Sequence, residues 1–422
     1  MSTIVVLGAS ALQVPLISTA RANGHEVVTL DNDLGNVGHR HSTRGQQVST
    51  RDIDGVLAVS GRERPVAVVT CGSDIALPAC AHACEALGLP GPDSRVVATW
   101  CDKAAFRTHQ KEKGLRHPEF VIGSEADALA AAATALDGRL MVKAADRSGS
   151  RGITPLPSHS DAGLARAIEH ALSASFENVA CIEQYIDGTE YGGDCFVENG
   201  RITALFVTRK LMDELIVRGH RFPSGLDTTA ANAIREELQA HVDAAEYVQG
   251  PINFDVRLDS SGTPWLIELA PRLGGNWIPE LIEFSTGVNL YSALLANALG
   301  DAVDLAADRE RPGATYVFGL SGRVTLDKPI DETGMRAALP ALFRIEFDYG
   351  AGDSVDPMID SGQQLGRALI DASQSPLSDS IAALETALAD VVGRNSVRRL
   401  GSQSFKDGRG QAWARANNTP WS

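Results

Sequence analysis

Aromatic residues make up only 5% of the chain, and basic residues are outnumbered, 38 Lys+Arg against 53 Asp+Glu for a formal net charge of -15. Few rings remain to stack unpaired bases, and a duplex-binding face would work against the field of the whole molecule, so nucleic acid is excluded as the main partner. No run of about 18 apolar residues occurs, which excludes a transmembrane helix. The first ten residues, MSTIVVLGAS, read as a buried strand and lack the basic start and cleavage site of a secretory leader, so a cytoplasmic location is expected. Six cysteines, Cys71, Cys80, Cys84, Cys101, Cys181 and Cys195, show no C-x-x-C spacing and are expected as buried reduced thiols. The G-x-x-x-x-G-K-[ST] string of a P-loop is missing as well.

What is present is length and glycine. The 422 residues suffice for two or three domains, and 40 of them are glycine, above the usual share of about 7%. Apolar runs at 3–7 and 26–30 flank helical spacing over 10–23, and a helix near 51–61, a strand at 66–70, a helix at 75–87 and a short strand ending at Pro90 follow. This alternation predicts a parallel sheet covered by helices, with ligands at the carboxyl ends of its strands. Gly8-Ala9-Ser10-Ala11-Leu12-Gln13 stands where a dinucleotide fingerprint would, with Asp31 about 20 residues on, but Ser10 and Gln13 occupy the second and third glycine positions. The turn therefore reads as a structural strand-to-helix connection or as a contact to a small substrate.

From residue 100 the pattern changes to helix 102–113, strand 118–122, helix 124–136, strand 139–144, strand 153–156, helix 158–173 and strand 179–186. Residues 189–209 form a hairpin turned at Asn199-Gly200, helix 226–248 follows, and a second hairpin spans 251–258 and 263–269. Helices near 277–285 and 287–299 close the region. After a charged stretch at 301–312, short strands at 314–318, 323–326, 341–348 and 366–371 and a helix at 377–393 make a small α+β tail, and the polar residues after 400 read as a mobile end.

Four segments carry possible chemistry. The loop Asp146-Arg147-Ser148-Gly149-Ser150-Arg151-Gly152 joins two strands, so its amides can fold over a polyphosphate while Lys143 supplies a point charge; a plain surface loop is the other reading. The run Glu183-Gln184-Tyr185-Ile186-Asp187-Gly188-Thr189-Glu190 can offer backbone groups to an adenine edge and a carboxylate to ribose hydroxyls, or be an ordinary strand and turn. In the second hairpin a four-residue loop, Asp259 to Gly262, would pair 258 with 263 and place Glu268 opposite Asn253 and Asp255 opposite Leu266, with all three polar residues on one face. Two carboxylates facing the same way in an apolar hairpin are costly unless they hold a cation, and an all-oxygen set favours Mg²⁺. Arg272 follows Glu268 by four residues, beside Gly274-Gly275, a pair that suggests close approach to an anion.

Taken in order, the β-α-β front, Lys103 of Cys101-Asp102-Lys103, Lys143 before the glycine loop, the 183–190 segment, Asp255 and Glu268-x-x-x-Arg272 resemble the ATP-grasp superfamily over roughly residues 1–375. Within it the chain is most similar to carboxylate–amine ligases of the L-amino-acid ligase type, with biotin carboxylase and purine-pathway carboxylases as more distant relatives.

The resemblance implies an α/β fold of ATP-grasp architecture. It comprises an N-terminal doubly wound parallel-sheet domain (1–100), central ATP-grasp α+β lobes (101–305, with a lid at about 115–186), a small C-terminal α+β domain (306–400) and a mobile tail (401–422).

The resemblance further implies ATP and Mg²⁺, with Mn²⁺ as a substitute. Lys103, Lys143, Ser148 and Gly149 would hold the phosphates, Glu183, Gln184, Tyr185 and Ile186 the adenine, and Glu190 the ribose. Asp255 and Glu268 would ligate metal, and Arg272, Lys210 and His220, the last in a Gly-His-x-x-Pro segment, would serve the reacting groups. The family often has Asn two residues after the metal Glu; here it is Ala270, and Asn253 or Asn276 is the replacement to look for.

The implied activity is ATP-dependent joining of a small-molecule carboxylate to an amine, with a homodimer as the default assembly. A bicarbonate-using carboxylase and a non-catalytic nucleotide-binding regulator are the competing readings.

Overall fold

The computed structural model describes residues 2–157, 161–360, 362–393 and 396–405. At the N-terminus, β1 (Thr3–Leu7), β2 (Glu26–Asp31), β3 (Arg44–Gln47) and β4 (Ala67–Val69) form a parallel sheet in the order β3-β2-β1-β4. Helices cover both faces of β1, so Ile4 to Leu7 are fully buried and the strand reads as an unbroken apolar run. The polar strand β3 gave no such signal and is an exposed edge.

The strand expected before Pro90 is not formed. Leu89-Pro90-Gly91-Pro92 is a connection, since two prolines cannot donate to a ladder, and Asp93 then caps the helix Ser94–Trp100.

The turn after β1 is filled from within. Gln13 Oε1 accepts from the Ser10 amide at 3.0 Å while its Nε2 donates to the Cys71 carbonyl at 2.7 Å, and Asp31 accepts from the Ala9 amide at 2.8 Å. No pyrophosphate can approach a turn so occupied, in agreement with its structural reading.

A second sheet, antiparallel in the order β5-β8-β6-β7, is built from β5 (Phe120–Gly123), β6 (Leu140–Ala144), β7 (Ile153–Leu156) and β8 (Ala180–Gln184). Helices Ala126–Ala133 and Asp161–Ala174 pack on it through Leu129, Ile168, Val142 and Ile182. The glycine loop joins β6 to β7.

The third sheet has eight strands. It uses β9 (Thr189–Glu198), β10 (Arg201–Asp213), β11 (Ile216–Phe222), β12 (Gly250–Leu258), β13 (Pro264–Ala270) and β14 (Gly313–Phe318). Strands β16 (Leu342–Phe347) and β18 (Gly366–Asp371) complete the order β13-β12-β9-β10-β11-β14-β18-β16, while β15 (Val324–Thr325) and β17 (Ser354–Val355), on either side of β16 in the chain, pair as a separate short ribbon. The C-terminal strands thus prolong the central sheet through the β11–β14 pairing while keeping a hydrophobic cluster of their own.

Asn199 and Gly200 both have positive φ, 52° and 74°, as the tight β9–β10 turn requires. Beyond the expected hairpin, β10 continues to Asp213 and turns into β11, so His220 lies on a strand, paired with Lys210, and not in a loop. Residues 401–405 are placed, with Ser404 Oγ donating to the Met212 carbonyl at 2.6 Å; the remainder of the expected mobile end, 406–422, lies outside the described residues.

Candidate active site

The hairpin of β12 and β13 sets the centre of the site, and its register differs from the expected one. Leu258 pairs with Pro264 rather than residue 263, and a bulge after Val256↔Leu266 then takes up Ile267, so Asp255 stands directly opposite Glu268 and Asn253 opposite Ala270. A slip by one residue would have parted the carboxylates; the bulge brings them face to face. Neighbouring strand β9 has Gly192 opposite Asp255, where an added Cβ would lie 2.7 Å from the Asp255 carboxylate and 3.1 Å from Lys210 Cε.

Each of these carboxylates meets a lysine. Lys210 Nζ lies 2.7 Å from both Asp255 Oδ2 and Glu190 Oε1, and Lys103 Nζ lies 3.4 Å from Glu268 Oε1 while also donating to the Arg147 carbonyl in the glycine loop. Burial would push the Glu268 carboxyl up, but Lys103, Arg272, Lys143 and Lys210 together hold it below its ordinary range. Burial raises Asp255, with Glu190 and Glu268 adding to the rise against Lys210.

Behind them, Glu183 is 4% exposed and ion-paired to Lys143 and, at 2.8 Å, to Arg107 Nε. Burial opposes its ionisation, yet Arg107 and Lys143 outweigh it and lower the carboxyl to about 2. A depressed folded-state value stabilises the fold above the unfolded value and is lost as pH falls through the folded one. The loss therefore falls between about pH 4.5 and about pH 2. Thermal melts of Glu183→Gln across that window are expected to vary less steeply with pH than those of the wild type; equal slopes would contradict the ionised Glu183.

Lys103, Lys143, Glu183, Glu190, Lys210, Asp255, Glu268 and Arg272 line one cavity of about 420 Å³, within the size range of small-molecule sites. Ser148, Gly149, Ser150 and Arg151 of the glycine loop close one side, and Ser150 Oγ donates to the Leu215 carbonyl at the β10–β11 tip. Gln184, Tyr185 and Ile186 line the end beside Met141 and Leu266, but the amides of Gln184 and Tyr185 already donate to the carbonyls of Glu119 and Arg139. Those two amides are not available to an adenine edge, so the backbone reading of that segment narrows to its remaining groups.

At the other end, Arg272 Nε donates to Asp74 Oδ1 at 2.7 Å and its Nη1 to Asn253 Oδ1 at 2.8 Å. Asn253 Nδ2 is bonded to the Gly193 carbonyl and to Asp194, so its oxygen is the end that meets Arg272. The anion beside Gly274 proves to be internal: its amide donates to the Asp194 carboxylate at 2.9 Å, leaving Gly275 as the glycine that faces the cavity. Burial lifts the Asp194 carboxyl to about 7 against the pull of Asn253, Arg272 and Gly274.

His220 is 2% exposed, and burial, then Lys210, lowers it to about 3. Thr208 Oγ1 donates to the Gly192 carbonyl and meets His220 Nδ1 at 2.8 Å. A hydroxyl has one proton to give, so Nδ1 carries the imidazole hydrogen and Nε2 the lone pair.

The cavity thus gathers the candidate nucleotide, metal and catalytic residues and adds Asp74 and Arg257, with Arg107 and Asp194 holding Glu183 and Gly274 behind its wall. All six cysteines are free. Among the described residues no helix is long and apolar enough to cross a membrane, and no three His, Cys, Asp or Glu cluster as a metal cage.

The profile of the ATP-grasp domain family matches residues 140–280, the stretch that supplies Lys143, Glu183, Asp255, Glu268 and Arg272. The chain carries an ATP-grasp domain. It is 24% identical over 345 residues, 79% of this chain and 70% of the other, to the uncharacterized protein y4rH of Sinorhizobium fredii. It is also 24% identical over 290 residues, 66% and 69% of the two chains, to the L-arginine-specific L-amino acid ligase of Bacillus subtilis. The crystal structure of L-amino acid ligase from Bacillus licheniformis shares the fold, with a TM-score of 0.76 at 22% identity over 93% of this chain and 98% of that one. The two L-amino acid ligases are matched over 66% and 93% of this chain, respectively.

Proposed function

We propose that the protein uses ATP and a divalent cation to join a small carboxylic acid, an amino acid or a related acid, to an amine through an acyl phosphate. The observation that supports this reading most is the facing pair Asp255 and Glu268, set among Lys103, Lys143 and Lys210, with Arg272 further along the same cavity. Two carboxylates without a nitrogen or sulfur partner fit Mg²⁺, or Mn²⁺ in its place, which completes its shell with phosphate oxygens and water. When bound there, the cation would neutralise charge on the transferring phosphoryl group. With Asn253 Oδ1 bonded to Arg272, Asp255 and Glu268 are the carboxylates left to hold it.

Lys103, Lys143 and the glycine loop would hold the phosphates, Glu190 the ribose, and Ile186 with the carbonyls beside it the base. A carboxylate oxygen of the acid attacks the γ-phosphorus and ADP departs. The amine then attacks the carbonyl carbon, and phosphate leaves with the acid's oxygen and takes up the proton that the amine sheds. The chain's own work is positioning and charge compensation by Lys210 and Arg272. The glycine loop excludes water, which would otherwise hydrolyse the acyl phosphate. Asp74, paired with Arg272, stands where an ammonium group of an amino-acid substrate would be met. His220, held neutral by its low pKa, offers Nε2 as an acceptor that orients the amine; a group of about 3 is too acidic to keep the amine's proton.

A screen of ADP release over pairs of amino acids and hydroxy acids, with mass detection of products, tests the reading. Release that needs both an acid and an amine and persists after bicarbonate is removed is expected. Release that follows bicarbonate alone would point to a carboxylase, and no release with any pair would favour a nucleotide-binding regulator. A cytoplasmic homodimer remains the working assembly.

A further inference from the structure

The lid sheet ends at Gln184 and the central sheet begins at Thr189, so residues 185–188 connect two separate sheets. Arg257, on β12 and 9% exposed, meets this connection three times. Its Nη1 donates to the Ile186 carbonyl at 2.9 Å, its Nη2 is ion-paired with Glu190, and its guanidinium lies 4.8 Å from the centre of the Tyr185 ring. Arg139, just ahead of lid strand β6, meets the same ring at 4.9 Å and is ion-paired with Asp187. Tyr185 is therefore contacted by one cation from the lid and another from the central sheet. The chain next to Arg257 closes up as well, since a Cβ at Gly188 would lie 2.0 Å from the Leu258 carbonyl oxygen. Arg257 Nε is buried and has no hydrogen-bond partner among the described residues, although the side chain lines the cavity.

We propose that Arg257 is a positioning residue for the nucleotide, holding the 185–190 connection in the one shape that presents Ile186 and Glu190 to adenosine. The inference rests on the reading of this cavity as a nucleotide site. Only a planar fork of donors can bond Ile186 and Glu190 together while stacking on Tyr185; a lysine supplies a point charge alone. Through Glu190 the clamp continues to Lys210 and Asp255, an alternating row of charges that links the adenosine end to the carboxylate pair.

The test is titration calorimetry with ADP in the presence of Mg²⁺, together with hydrogen–deuterium exchange of peptides spanning 184–190 in the ligand-free protein. Arg257→Ala and Arg257→Lys are both expected to weaken ADP binding about tenfold or more. Both are expected to speed exchange over 184–190 while exchange in the N-terminal sheet stays as in the wild type. Recovery of wild-type affinity by Arg257→Lys would reduce the role to charge and overturn the proposal, as would wild-type affinity in Arg257→Ala. If Arg257→Ala does not fold, Arg257→Gln, which keeps one donor and most of the stem, takes its place; unchanged exchange over 184–190 would overturn the clamp. A wild-type protein that binds no ADP would sink the nucleotide reading instead, and the exchange result would still decide whether Arg257 holds the connection.

Discussion

Glu268→Ala is expected to abolish Mg²⁺-dependent ADP formation, by about 10³-fold or more, which corresponds to about 4 kcal/mol of lost transition-state stabilisation. The fold should survive. Glu268 lies at the cavity wall, and its pairing with the buried Lys103 is loose at 3.4 Å. Lys103 keeps its bond to the Arg147 carbonyl. The Asp255↔Glu268 register makes the effect specific to the metal: Mg²⁺ titration of ADP formation should lose its saturating phase, and excess Mn²⁺ should not restore it. Near-normal ADP formation by the variant would remove Glu268 from the cation site.

Lys143→Ala should act on the nucleotide. Its ammonium is buried beside Glu183 and would trade that partner for phosphate oxygens, so its loss is expected to weaken ATP binding about 10- to 100-fold. Arg107 remains to neutralise Glu183, which should spare the fold. Calorimetry with ATP checks this, and unchanged affinity would take Lys143 out of the phosphate site.

Much of this site was legible because its chemistry lies in residue order and strand alternation. Lys103, Lys143, Lys210, Asp255, Glu268 and Arg272 all reached one cavity. What the sequence obscured was long-range pairing. The bulge at Ile267 depends on how the β12–β13 loop closes, and no local pattern announces it. The two glycines after Leu273 suggested an external anion because Asp194, the internal one, sits 80 residues away.

The β10–β11 turn was missed because residues 210–222 mix charged and apolar types, and a register shift between Leu211 and Met212 breaks the two-residue alternation that marks a hairpin. The C-terminal strands showed their type but not their place, since joining β14 to β11 is a choice of partner and not of propensity. Three additional residues did have local signals. Arg257 follows Asp255 by two on a strand, Arg107 follows Lys103 by four on the helix Lys103–Glu112, and Asp74 stands just beyond the carboxyl end of β4, where ligands of parallel sheets collect.

The most direct test of ligation through an acyl phosphate follows one oxygen atom. With the acid–amine pair that drives the fastest ADP release, the acid is labelled with ¹⁸O in its carboxylate and the phosphate product is weighed. Activation by phosphoryl transfer carries one labelled oxygen from each acid molecule into phosphate. Phosphate free of label, formed alongside amide, would contradict the account.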